Sequence, residues 1–388
     1  MREALIFAAL AGVLGAQPAT HPYIGAGGCA SSNCHGGTTP QAESDSRILA
    51  NEYATWSVSD KHSRAYKALE DPRGKRMGEI LKLDATRDKR CTACHVVGSP
   101  EKARTDGVAC EACHGAAEQW LGPHTRANSH AESVKAGMID TKDLAVRAKT
   151  CFGCHVGTGD QQVDHELIAA GHPDLAFELD TFTAGQPTHH RPEKAAARVR
   201  AWAVGETLGL AESMRLAAAH PDDFSHFECY QCHHDLRAES WRIQRGYGTR
   251  RPGSLQVNQA RIEIVRELVA VAAPEQRAAF EAAIGQGSAR WNGASAQAVA
   301  RIADGLAARF QAQDVDAQAV IRAILANIAR IADAGVGAAE QATMTLDALG
   351  AALGRRPEAV TGLYDYLEHP SLYRPSEFAE MFRKAANE

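Results

Sequence analysis

A chain of 388 residues with a net charge of -5 has no basic surplus with which to neutralise phosphates, which sets nucleic acid aside as a partner. Its 45% hydrophobic and 23% charged content is ordinary for a soluble protein of two or three domains, but aromatic residues reach only 6%, thin for a core of that size. Something other than side chains is expected to fill part of the interior.

The chain starts MREALIFAALAGVLGA, with Arg2, an apolar run from Ala4 to Gly15, and then small residues suited to cleavage. That run is too short to span a bilayer, so residues 1-16 are expected to be an export signal. Later stretches are too charged to cross a membrane. The expected product is periplasmic or otherwise exported, with no membrane span in the mature chain.

All ten cysteines fall into close pairs, each followed at once by histidine: Cys29 and Cys34 with His35, Cys91 and Cys94 with His95, Cys110 and Cys113 with His114, Cys151 and Cys154 with His155, Cys229 and Cys232 with His233. Four of these read CTACH, CEACH, CFGCH and CYQCH, the attachment sequence for haem c. Two thiols add to the two vinyl groups on one porphyrin edge, and the next imidazole then lies under the iron as proximal ligand. Disulfides across two intervening residues are strained and leave the histidines without a role. Zinc sites place their histidines differently. The first motif, CASSNCH, is two residues longer, but its spacer is small and turn-prone, so the loop can bulge while both sulfurs reach the same porphyrin. Tetrahaem cytochromes of sulfate reducers resemble it in using a four-residue spacer. Five covalent haem c groups, with their iron, are therefore expected.

Twelve histidines lie outside the motifs, and an iron used only to carry electrons wants a second protein ligand. The segments YATWSVSDKHSRAYKAL, CEACHGAAEQWLGPHT, DHELIAAGHPDLAFEL and CYQCHHDL give the chain, over residues 28-236, a resemblance to the multihaem cytochrome c family of ammonia oxidisers and its octahaem relatives. There a haem motif is followed by a helix bearing Trp and His that ligates another haem. The resemblance implies distal ligands at His62, His165, His172 and His124, with His130 a rival to His124 and His234 the candidate for the fifth iron. His189, His190, His220 and His226 rank behind them, and His369 is expected at the surface. The chain departs from the tetrahaem carrier in having five motifs, one elongated.

Between Asp60 and Arg104 there are 12 Lys or Arg against 7 Asp or Glu, a solvated face or a docking patch for an acidic redox partner. The motif region, residues 17-250, is expected to be loops and short helices whose haems form a shared interior. A helical face is expected over Trp56, His62, Tyr66 and Leu69. A long helix should follow Pro192 and Glu193 and stop at the sequence HPDD, residues 220-223. Residues 251-388 lack cysteine and repeat apolar positions at helical spacing, as in Val299, Ile302, Leu306 and Phe310, and in Ile321, Leu325, Ile328 and Ile331. Breaks are expected at residues 333-340 and 354-360.

The fold class expected is all-α, a loop-rich multihaem cytochrome c domain followed by a helical bundle. The function expected is an electron relay to redox partner proteins. The alternatives are an oxidoreductase with one five-coordinate haem acting on a small nitrogen or sulfur compound, and an electron-transfer subunit of a larger respiratory complex. The ligand count separates relay from enzyme.

Overall fold

A computed structural model of the protein describes residues 22-41, 48-191, 193-233, 237, 255-289, 292-355 and 358-387. The expected export signal and His234 lie outside these residues. Among the described residues the fold is all-α, with no strands and only isolated β-bridges such as Ile48 with His190 and Val97 with Val108. No helix among them is long and apolar enough to cross a membrane.

The cysteine-bearing part is built from short helices: α1 (Glu52–Ser59), α2 (Ala65–Glu70), α3 (Pro72–Leu81), α4 (Lys89–His95), α5 (Cys110–His114), α6 (Leu121–His124), α7 (His130–Lys135), α8 (Leu144–His155), α9 (His165–Ala170) and α10 (Leu179–Gly185). Aspartates start several of them, because a carboxylate can accept the free N–H groups of a first turn: Asp71, Asp88, Asp143 and Asp164 cap α3, α4, α8 and α9. The face expected over Trp56 to Leu69 is not one helix. Asp60 breaks it by capping a 3₁₀ turn, Lys61–Arg64, so that α1 and α2 are separate and His62 sits in the tight turn between them.

The long helix is α11 (Ala195–Ala219), ending at His220. After it come α12 (Ala260–Ala272), α13 (Arg277–Ala289), α14 (Gly293–Ala312), α15 (Ala317–Ala334), α16 (Val336–Ala352), α17 (Glu358–Leu367) and α18 (Pro375–Asn387). The expected break near residues 333-340 falls at Gly335, whose φ of 132° suits glycine and ends α15.

Two regions differ in how they are filled. One apolar cluster runs from Ala148 and Phe152 of α8 through Trp202, Val204 and Leu210 of α11 to Phe310, Ile328, Leu349 and Phe382, all closed to solvent. The fourth motif is thus anchored in the bundle. Among the described residues of 22-135, by contrast, the only apolar cluster is Ala26, Trp56 and Ala109, flanked by Tyr53 and Cys110. Short helices that lack an apolar core are marginal by themselves. The low aromatic content has its counterpart here.

Where α11 meets α12 and α16, Glu206 is closed to solvent, its carboxylate accepting from Gln341 with the Arg261 guanidinium 3.5 Å away. Burial raises its pKa from 4.5 to about 7, Arg261 and Gln341 opposing. The folded chain then holds a proton that the unfolded chain releases above about pH 4.5, so stability falls as pH rises from about 4.5 to about 7. Denaturant unfolding at pH 5 and pH 8 should show the parent chain losing stability at the higher pH, and Glu206→Gln should show a smaller pH difference.

Candidate cofactor sites

A Cys-x-x-Cys-His run wound as one α-turn puts its two sulfurs and imidazole on one side, since residues three and four apart are helical neighbours. Three motifs are built in this way, with His95, His114 and His155 the last residues of α4, α5 and α8. The fifth is a 3₁₀ turn, Cys229–Gln231, continued by a 3.0 Å bond from the His233 N–H to the Cys229 carbonyl. In the elongated first motif the extra residues form a tight turn, with the N–H groups of Cys34 and Gly36 both 2.9 Å from the Ser31 carbonyl. None of the ten cysteines forms a disulfide. No cage of three or more His, Cys, Asp or Glu side chains occurs among the described residues.

Each motif histidine faces one histidine from outside the motifs. The ring centroids are 5.8 Å apart for His35 and His124, 6.4 Å for His95 and His172, 6.3 Å for His114 and His190, 6.1 Å for His155 and His62, and 6.1 Å for His233 and His165. Two metal–imidazole bonds of about 2 Å each, plus the ring radius at both ends, require a centroid spacing of about 6 Å. All five gaps fit one iron between two imidazoles.

The local chain explains how the partner rings are held. The Asp60 carboxylate accepts from the His62 backbone N–H at 2.9 Å and from Nδ1–H at 3.0 Å. His124 ends α6 with its ring edge-on to Trp120. His165 opens α9, its N–H on Asp223 at 3.1 Å. Gly171, at φ 117°, lets the chain leave α9 in the left-handed conformation that brings His172 back onto the Leu167 carbonyl. His190 is pinned by its bridge to Ile48.

Four of the paired rings have Nδ1 engaged, as does His189, on the Pro187 carbonyl at 2.7 Å. His35 donates Nδ1–H to Glu52 at 2.9 Å, His62 to Asp60, His95 to the Ala65 carbonyl at 2.8 Å and His172 to the Pro173 carbonyl at 2.8 Å. A ring whose Nδ1 carries the proton keeps its Nε2 lone pair for a metal. His130 and His220 use Nε2 on Asp140 and on the Gly159 carbonyl, and the Nε2 of His189 lies 3.5 Å from Asp60. Loss of hydration pushes His114 and His155 down to about 4, which leaves them neutral, the form that binds iron.

The sequence-based candidates His62, His124, His165 and His172 each stand opposite a motif histidine. His190, ranked low from sequence, stands opposite His114. Its loop, rich in Gly, Pro and polar residues, has no periodic pattern that aims a side chain, so its only sequence signal is the histidine itself.

The attachment sites also adjoin one another. Cys110 brings the Cys29 thiol down to about 7 and Cys154 lowers Cys94, so the first motif neighbours the third and the second neighbours the fourth. Burial pushes Cys113 up to about 12, with Cys151 and Cys154 adding to it. Arg90, beside Cys91, pairs with Asp164 and Glu166 on either side of His165. Neighbouring motifs are thus first and third, third and fourth, fourth and second, and second and fifth.

Paired thiols followed by an opposed pair of imidazoles define the class of multihaem c-type cytochromes, and the residues present fit that cofactor. Comparison agrees: residues 29-115 match the family described as cytochrome c554 and c-prime. Cytochrome c-554 of Nitrosomonas europaea is 32% identical over 116 residues, covering 24% of this chain and 48% of that protein. The chain thus spans about half the length of this curated relative. No solved structure matches it. The similarity is to cytochromes c, and the family match falls on the part of the chain that carries the first three motifs.

Proposed function

We propose that this chain is an exported electron-transfer cytochrome with five covalent haem c groups, each held between two imidazoles: His35 with His124, His95 with His172, His114 with His190, His155 with His62, and His233 with His165. The observation that carries this reading is the five ring pairs at iron-spanning distance, one for every motif. Haem iron with both axial positions filled by imidazole is a one-electron carrier with no open position for a substrate. His190 takes the place that the sequence pointed to His234 to fill. The contiguous order of the attachment sites supports relay along the molecule. Export is supported by the apolar N-terminal run.

The residues around the ligands set the sites apart from one another. Glu52 and Asp60, both buried, place a carboxylate on Nδ1–H of His35 and His62, whereas His95 and His172 donate to backbone carbonyls. A carboxylate makes the imidazole a stronger donor and favours the oxidised metal. The first and fourth sites are therefore the low-potential ones.

Intact mass of protein matured in a host that attaches haem c should show five haems, and Cys29→Ala with Cys34→Ala should show four. Electron paramagnetic resonance of the oxidised protein should give only low-spin signals, and carbon monoxide should leave the reduced spectrum unchanged. His190→Ala should convert one haem to a high-spin, gas-binding form, while His189→Ala should not. A high-spin haem in the parent chain would instead make the oxidoreductase reading the stronger one. Glu52→Gln should raise one midpoint potential by tens of millivolts, since about 1 kcal/mol corresponds to about 40 mV for a one-electron couple.

A further inference from the structure

A basic stretch of the chain lies on the helices that hold one ring pair. Residues 60-104 carry a surplus of five positive charges in a chain of net charge -5, which leaves -10 on all other residues. The fold sharpens this surplus. Six of the segment's seven carboxylates are engaged locally: Asp60 on His62, Asp71 and Asp88 as helix caps, and Glu79, Asp84 and Glu101 on Arg76, Arg87 and Arg104. Lys61, Lys67, Arg73, Lys75, Lys82 and Lys89 are exposed and make no ion pair among the described residues.

These cations stand on the elements that clamp His95 and His172. His95 ends α4, which Lys89 begins, and its ring donates to the Ala65 carbonyl in α2, the helix of Lys67. Helix α3, bearing Arg73 and Lys75, packs on α9, with Met77 beside Gly171, the residue before His172. Ile80, 47% exposed, is the exposed large apolar side chain on these helices. Charge around a small apolar spot is the make-up of a transient interface.

We propose that this face docks an acidic redox protein, and that the His95–His172 site behind it is the port where electrons enter or leave the chain. The proposal rests on the electron-transfer reading above and adds the place and charge of the partner. Unpaired cations raise the encounter rate with an acidic protein. An anionic membrane is the other surface such cations attract, but Ile80 offers little apolar area to anchor one.

The test is titration calorimetry of the haem-loaded protein against an acidic flavodoxin and against phosphatidylglycerol vesicles. Flavodoxin binding should be seen at low ionic strength and be lost near 1 M salt, where the screening length falls to about 3 Å. The K67E/K75E/K89E variant should lose about tenfold or more in affinity, while K135E/K142E, outside the basic segment, should lose little. Equal loss in both variants, no binding of flavodoxin, or binding of vesicles alone would overturn the proposal. Haem content by mass and the low-spin spectrum, measured on the same samples, report separately on the electron-transfer reading, which can stand while the docking face fails.

Discussion

Pairs of imidazoles brought to about 6 Å from segments far apart in sequence are the constraint on which the cysteine-bearing half depends. His35 meets His124, His62 meets His155 and His114 meets His190, so each pair ties a motif to another part of the chain. What surrounds the pairs is weak in other respects: mostly short helices, a three-residue apolar cluster, and caps that each contribute about 1 kcal/mol. Such a scaffold cannot offset the ordering entropy of its loops through side-chain burial alone. In the proposed reading, cofactor attachment and ligation close these long loops, and folding of this half is coupled to them as it is in other metal-held domains.

The C-terminal helices answer a different physical need. They bury a continuous apolar core that reaches Phe152, inside the fourth motif, and Phe177, whose ring stacks on His155 at 4.6 Å. Arg261 of α12 sits over the Phe152 ring and donates to the Phe177 carbonyl. The fourth site is thus packed against the bundle, while the second stands behind an exposed basic face. The bundle therefore acts on function through position, by fixing the fourth ring pair against which the other sites are arranged.

Much of this was legible in the sequence where chemistry forces a local pattern. Covalent attachment demands two thiols and an imidazole within one turn, so the motifs stand out at any place in the chain. Amphipathic helices demand apolar residues every three or four positions, so the helices holding Phe310 and Ile328 could be read directly. The break at Asp60 was harder, because helical spacing of Trp56, His62 and Tyr66 is also met by two short helices joined through a capped turn.

Distal rings obey no local rule, since their partner is elsewhere in the chain. His62, His124, His165 and His172 were legible because a helix end or a family-like segment surrounds each of them. His190 lies in a loop that pairs with Ile48, a contact that no spacing within the loop encodes. The neighbouring His189 has the same composition around it but turns toward Asp60, the carboxylate already engaged by His62. One residue of register in an extended segment reverses the direction of a side chain. The bridge to Ile48 therefore decides which of two adjacent histidines faces His114 and which braces the fourth site.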